Sequence, residues 1–215
     1  MKVRISDATS PIPDISNLDL IDRDEVDSFR VAKRVEEHAS GRFLVAHLLR
    51  QIGENPEEYM IVRDEYRAPS LVGPTPMSVS ITHSGGFCSA VIGPSTISFG
   101  LDLEVDSGRN RNLLPYMASG DELEKLESEW DNDPLSASSL TNQIWVMKEA
   151  VQKASGKGMG IPPQSFSVID EISTTVDGLE YQILHWQLFP DSLPIDFALA
   201  YNCGGISSAE QFPHQ

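Results

Sequence analysis

Two acidic residues near the middle of the chain could hold a metal ion together. Asp102 and Glu104 alternate with Leu101 and Leu103. On a β-strand, residues i and i+2 point to the same side, so the two carboxylates share one face while the leucines enter the core. Neighbouring carboxylates repel each other unless a cation lies between them, and oxygen ligands suit Mg²⁺, which also binds substrate phosphates. A solvent-exposed acidic strand face is the simpler explanation of this segment taken alone.

A third carboxylate, that of Glu149, lies on a predicted helix between Trp145 and Lys153. These three residues are spaced by four, so they line one helix face, whereas the apolar stripe that includes Met147 and Val151 lines another. Glu149 and Lys153 have the favourable orientation for an ion pair, which contributes about 0.2–0.5 kcal/mol on an exposed helix. At this point a surface ion pair and a functional site are both open.

A histidine stands among hydroxyl side chains just before two glycines. His83 lies between Thr82 and Ser84 and precedes Gly85 and Gly86. Glycines leave backbone N–H groups free, and a histidine can donate to an anion, so the segment is a candidate phosphate site. A packed, hydrogen-bonded histidine is the alternative. No G-x-S-x-G elbow presents a serine nucleophile, and no G-x-x-x-x-G-K-[ST] loop is present.

Charge and hydropathy exclude several classes of protein. The 215 residues include 16 Lys and Arg against 32 Asp and Glu, a formal net charge of −16. Such an anion is unsuited to nucleic acid or to an anionic membrane surface unless basic groups converge locally. No apolar run is long enough for a membrane helix or a signal peptide, so we expect a cytoplasmic protein that contacts neither membrane nor nucleic acid.

The apolar pattern alternates between helical and strand periods, which predicts an α+β fold and permits two halves of similar size. The segment 67–76 is predicted to be a loop, and the helix 141–155 to be capped by Thr141 or Asn142 and stopped by Gly156. The predicted helices are 23–51, 120–133 and 141–155, and the predicted strands are 59–62, a hairpin over 79–92, 97–105, 166–169, 181–188 and 197–201.

The order and spacing of these segments resemble the 4′-phosphopantetheinyl transferases, in particular the large monomeric, surfactin-synthetase-activating type. That family has a Gly-Val/Ile-Asp-x-Glu strand followed by Trp-x-x-Lys-Glu-Ala/Ser-x-x-Lys. Residues 145–153 match the second motif at every fixed position, and residues 100–104 match the first with Leu101 in place of Val or Ile. Residues 80–84 are similar to its Asn-x-Ser-His-Ser, with Ser80 in place of Asn and Thr82 in place of Ser. Arg67 with Ala68 and Pro69 stands where the family has Gly-Lys/Arg-Pro.

The resemblance implies a fold and a reaction. The fold would be two similar α+β halves related by a pseudo-twofold, which we expect at residues 1–105 and 106–215, with the active site in the cleft between them. The reaction would be the Mg²⁺-dependent transfer of the 4′-phosphopantetheine arm of coenzyme A to a serine of an apo acyl, peptidyl or related carrier protein, with release of adenosine 3′,5′-bisphosphate. The protein would be a monomer.

The resemblance also implies roles for individual residues. Asp102, Glu104 and Glu149 would bind the metal ion. Glu149, or a water on the metal ion, would take the serine proton, so Glu149 would also be catalytic, together with Lys153. The expected contacts to coenzyme A are Arg42, Arg67, His83, Lys148 and Lys153.

Two other functions fit the same residues. A Mg²⁺-dependent phosphohydrolase would use the three carboxylates on water, and it would consume coenzyme A without a carrier protein. A catalytically silent coenzyme-A-binding module would keep the fold alone. The complete set of carboxylates and both lysines disfavour the silent module.

Overall fold

The computed structural model describes residues 4–7, 18–169, 172–190 and 193–202. They form two antiparallel sheets, each with one long helix packed against it. The predicted α+β class with two similar halves is confirmed. None of the described helices is long and apolar enough to cross a bilayer.

The first half is a five-stranded sheet with helix α2 on one face. Its strand order is β1-β5-β4-β3-β2, and every neighbouring pair is antiparallel. The predicted hairpin over 79–92 is β4 and β5, joined at Gly85 and Gly86, whose φ values of 59° and 87° suit glycine. The elements are β1 (Arg4–Asp7), α1 (Arg23–Ser28), α2 (Ala32–Gln51), β2 (Met60–Arg63), β3 (Pro69–Val72), β4 (Met77–Ser84) and β5 (Phe87–Pro94).

The second half is a four-stranded sheet in the order β6-β9-β8-β7, covered by helix α5. Helix α4 packs on α5 from the side away from the sheet. The elements are β6 (Ser98–Val105), α3 (Leu114–Met117), α4 (Gly120–Asn132), α5 (Pro134–Ala154), β7 (Ser173–Val176), β8 (Leu179–Leu188) and β9 (Ile195–Asn202).

Hydroxyl side chains join the two sheets where β4 runs alongside β6. Strand β6 is an edge strand, so alternate backbone N–H groups have no neighbouring strand to donate to. Leu101 N donates to Ser80 Oγ at 3.0 Å, and Leu103 N donates to Thr82 Oγ1 at 3.2 Å. Ser80 and Thr82, the two residues of β4 that depart from the motif, therefore accept hydrogen bonds from the backbone of the strand that carries Asp102.

Three details differ from the sequence prediction. Helix α5 begins at Pro134, because the Asp133 side chain accepts hydrogen bonds from the N–H groups of residues 135 and 136, so Thr141 and Asn142 are buried inside the helix rather than capping it. Part of the predicted loop 67–76 is strand β3, which pairs with β2 and β4. The predicted helix 23–51 is divided into α1 and α2.

The segment 166–169 is not a strand. The N–H groups of Val168 and Ile169 donate to Glu122 Oε1 at 2.8 and 3.2 Å instead of to a neighbouring strand. The division at residue 105 stays a prediction. The change of sheet falls earlier, between Pro94 and Ser98, and we propose the boundary of the halves there.

A buried ion pair connects α4 with α5. The Lys148 ammonium is fully buried and lies 2.6 Å from Glu122 Oε2. It also donates to the carbonyl oxygens of Pro163 and Phe166. Glu122 thus belongs to the core, although the rest of α4 has the exposed acidic face that its sequence predicts.

We expect Lys148→Met to lower the free energy of unfolding by about 3–5 kcal/mol, because it leaves the Glu122 carboxylate buried without a counter-charge. Adding Glu122→Gln should recover part of this loss, since the amide is neutral and its oxygen still accepts from Val168. Urea unfolding measures both. Lys157→Met is the control, because Lys157 pairs with Asp177 at the surface and should leave the midpoint nearly unchanged. A wild-type midpoint for Lys148→Met would contradict the pairing.

Candidate functional site

The site is built where strand β6 and helix α5 come unusually close. A Cβ atom on Gly100 would collide with the backbone of Ala150 and Ala154 and would lie 2.7 Å from the Cβ of Lys153. Only glycine permits this approach. It sets Glu149 and Lys153, on the facing side of α5, opposite the carboxylates of β6.

Three carboxylates meet at this junction. Asp102, Glu104 and Glu149 each offer an oxygen, and these oxygens all lie within 4.8 Å of one another. Asp102 is 2% exposed. Its Oδ1 accepts from Thr82 Oγ1 at 2.8 Å and from Lys153 Nζ at 2.6 Å. Its Oδ2 is buried and has no hydrogen-bond partner within the described part of the chain.

The electrostatics of the cluster favour an added cation. The pKa of Glu149 is raised to about 7, first by burial and then by the charges of Asp102 and Glu104, against which Lys153 acts. A carboxylate held in this way takes up a proton or a metal ion to relieve the repulsion. The free Asp102 oxygen, the all-oxygen donor set and the raised pKa therefore fit a hard divalent cation.

Glu104 is held by residues that the sequence did not single out. Its Oε2 accepts from Ser84 Oγ at 2.7 Å and lies 3.1 Å from Arg109 Nη2. Arg109 stacks on the Trp145 ring at 5.6 Å and donates through Nε to Asn142 at 2.7 Å. Arg109 lies in the loop after β6, where no motif or periodicity marks it, so only the folded chain reveals it.

Beside the carboxylates, an open cavity of about 600 Å³ is lined by both halves of the chain. Of the basic residues expected to contact coenzyme A, four line it: Arg42, Arg67, His83 and Lys153. Three more basic residues, which the sequence motifs did not indicate, line the cavity: Arg34, His38 and Arg63. The first two precede Arg42 by eight and four residues on α2. This helical spacing places them on the same face as Arg42, so it is a sequence signal that indicates both.

The predicted cationic residues differ in their surroundings. Arg42 is buried, and its Nε has no hydrogen-bond partner among the residues that the structure describes. Burial, and then the charge of Arg63, lower its pKa. Burial lowers the pKa of His83, whose Nδ1 lies 3.5 Å from Glu37 Oε1. Arg67 lies at the cavity rim with 77% of its side chain exposed.

Lys148 is not among the described residues that line this cavity, so its contact with a coenzyme phosphate stays a prediction without support from the geometry. Its ammonium points to the opposite side of α5, into the pairing with Glu122 described above. Lys148 and Lys153 occur in the same sequence motif, but helix α5 carries them to different sides.

Comparisons with known proteins agree with this architecture. Residues 26–93 match the model of the 4′-phosphopantetheinyl transferase N-terminal domain, and residues 98–201 match that of the 4′-phosphopantetheinyl transferase superfamily. The two matches meet where the chain passes from the first sheet to the second. No curated protein matches the chain significantly. With both halves matched, and with the strand and helix motifs joined at one acidic cluster, the chain belongs to the 4′-phosphopantetheinyl transferase superfamily.

Proposed function

We propose that this protein transfers the 4′-phosphopantetheine arm of coenzyme A to a serine of an apo carrier protein, in a Mg²⁺-dependent reaction that releases adenosine 3′,5′-bisphosphate. The observation that carries the proposal is the acidic cluster at one side of a cavity lined with cationic side chains. A diphosphate with a further phosphate, as in coenzyme A, needs both: carboxylates for a metal ion and basic groups for the remaining charge.

The three carboxylates would hold Mg²⁺ in this proposal, with Asp102 Oδ2 as the free buried oxygen and Glu104 held in place by Ser84 and Arg109. Bound there, the ion would neutralise charge on the diphosphate. Lys153, which pairs with Asp102, would add a second positive charge at the same place. Arg42, Arg67 and His83 would contact the phosphates of the adenosine side.

The reaction would be an in-line substitution at phosphorus. The serine oxygen forms a bond to the pantetheine-side phosphorus, and the bridging oxygen leaves with adenosine 3′,5′-bisphosphate. The Glu149 carboxylate takes the serine proton as this bond forms. Glu149 lies at the centre of the proposed reaction, because an oxygen of its carboxylate is within 4.8 Å of oxygens of Asp102 and Glu104.

The direct test is the mass of an apo carrier protein after incubation with coenzyme A and Mg²⁺. We expect the carrier to gain one phosphopantetheine group. Consumption of coenzyme A without a carrier would instead indicate the phosphohydrolase, and binding of coenzyme A with neither reaction would indicate the silent module. The expectations of a cytoplasmic monomer remain predictions.

We expect coenzyme A binding to fall steeply when Mg²⁺ is removed. Without the ion, three carboxylates face the diphosphate and repel it. Calorimetric titration of coenzyme A in Mg²⁺ and in EDTA measures the effect. Equal affinity under the two conditions would contradict the assignment of Asp102 and Glu149 as metal ligands.

We expect Glu149→Gln to lower the transfer rate by roughly a hundredfold or more, because a neutral amide neither binds the metal well nor accepts the serine proton. The metal-free variant should be as stable as the wild type or more so. Between about pH 5 and about pH 8 the wild type should lose stability relative to the variant, since Glu149 ionises at lower pH when unfolded than when folded. Melting temperatures in EDTA across this range measure the difference. An active, destabilised variant would show that Glu149 contributes to stability and not to the reaction.

We expect Arg42→Ala and His83→Ala chiefly to raise KM for coenzyme A. Each should cost about ten- to a hundredfold, because a charge-assisted hydrogen bond to a phosphate contributes roughly 1.5–3 kcal/mol. Some loss of kcat is allowed, since remote binding also positions the reacting group. Steady-state kinetics with varied coenzyme A separate the two parameters. A variant with wild-type KM and lowered kcat would place that residue at the reacting centre instead.

A further inference from the structure

One acidic side chain lies in the middle of the basic groups of the cavity. Glu25, on helix α1, has Oε2 3.4 Å from His38 Nδ1 and 3.7 Å from Arg42 Nη2. Its Oε1 contacts Arg63 Nη1 and lies 3.7 Å from Arg67 Nη2. Four basic side chains, from α2, from β2 and from the loop after β2, therefore converge on one carboxylate.

The charges of this cluster do not balance. Three guanidinium groups face the Glu25 carboxylate, and the Asp22 carboxylate acts on Arg42 from further away, so positive charge remains in excess. His38 adds none at neutral pH, because burial, followed by the charge of Arg42, lowers its pKa to about 4. The second acidic residue of the cavity, Glu37, pairs instead with Lys33, Arg34 and His83.

The cluster also contains buried polar atoms without a hydrogen-bond partner among the described residues. They are Arg42 Nε and His38 Nε2. Buried donors are rarely left unpaired in a finished site, so Arg42 Nε points to a ligand with more acceptor oxygens than a carboxylate has. The neutral His38 ring faces Glu25 through Nδ1, which leaves Nε2 as an acceptor for a protonated ligand oxygen. A phosphate monoester carries about −1.5 to −2 charge at neutral pH and three acceptor oxygens, which suits both the charge and the donors.

Glu25 is held loosely enough to be replaced. Three of its four contacts lie at 3.4–3.7 Å, longer than a good hydrogen bond, and 19% of its side chain is exposed. The hydrogen bonds of its helix do not involve its carboxylate, because Asp22 caps the N–H of residue 25 and Ser28 Oγ donates to the Glu25 carbonyl. The side chain can therefore turn away without breaking a hydrogen bond within α1.

We propose that the Glu25 carboxylate occupies, in the free protein, the place of a phosphate monoester, and that it thereby competes with the coenzyme and lowers its affinity. The inference rests on the proposed function, because the phosphate monoester of coenzyme A is its 3′-phosphate. A coenzyme with this group displaces the weaker anion and gains three guanidinium partners. A coenzyme without it leaves Glu25 in place and gains nothing from the cluster.

The test is calorimetric titration of the full-length protein in Mg²⁺ with coenzyme A and with dephospho-coenzyme A. Glu25→Gln removes the competing charge, so it should bind coenzyme A at least about tenfold more tightly and dephospho-coenzyme A as the wild type does. Glu25→Asp, with a shorter charged side chain, should shift in the same direction by less. Asp27→Asn is the matched control, since Asp27 is exposed on the same helix and loses the same charge; it should leave both affinities unchanged.

Melting temperatures with and without coenzyme A provide a second measurement. Without ligand, Glu25→Gln should melt below the wild type, because three guanidinium groups lose their common counter-ion, and saturating coenzyme A should remove the difference. Weaker coenzyme A binding by Glu25→Gln would overturn the inference, because Glu25 would then organise the arginines. Equal tightening for both coenzymes, or for Asp27→Asn, would overturn it in favour of a general charge effect. A wild type that binds no coenzyme A would overturn the proposed function, and this inference with it.

Discussion

The repulsion among three carboxylates is the constraint on which the arrangement of the site and its neighbours depends. Their oxygens lie within 4.8 Å of one another, and burial strengthens the repulsion. A fold tolerates such a cluster only when nearby groups hold each carboxylate in place and a cation balances the charge. Here Lys153 and Thr82 hold one oxygen of Asp102, and Arg109 and Ser84 hold Glu104. No hydrogen bond or ion pair of this kind supports Glu149 among the described residues, and burial with the charges of Asp102 and Glu104 raises its pKa to about 7.

The fold meets this constraint where the two sheets meet. Strand β6 is an edge strand of the second sheet, and strand β4 of the first sheet runs alongside it with a row of hydroxyl side chains. Those hydroxyls pair with the free backbone N–H groups of β6 and with its carboxylates, so the two halves are joined by the residues that shape the site. On the other side of β6, Gly100 admits helix α5 with Glu149 and Lys153. The junction of the two sheets and the acidic cluster are therefore the same structure.

The same balance of charge extends into the cavity. A protein with a net charge of −16 repels polyanions at a distance, so an anionic ligand depends on a local concentration of basic groups. Most basic groups of the cavity come from α2, β2 and β4. Two acidic residues, Glu25 and Glu37, form ion pairs with them in the absence of a ligand. Positive charges that would otherwise repel one another are thereby kept in position.

The sequence by itself determined the fold class, the strand that carries Asp102 and Glu104, and the helix face that carries Glu149 and Lys153, because the period of an element fixes which side chains share a face. It did not determine which neighbour packs on that face. Lys148 and Lys153 were equivalent in the motif, and only the position of α4 made the first a core residue paired with Glu122. The convergence of Arg63 and Arg109 on carboxylates far away in sequence was likewise decided by tertiary packing. Local spacing carries no information about such contacts, since they depend on how separate elements meet.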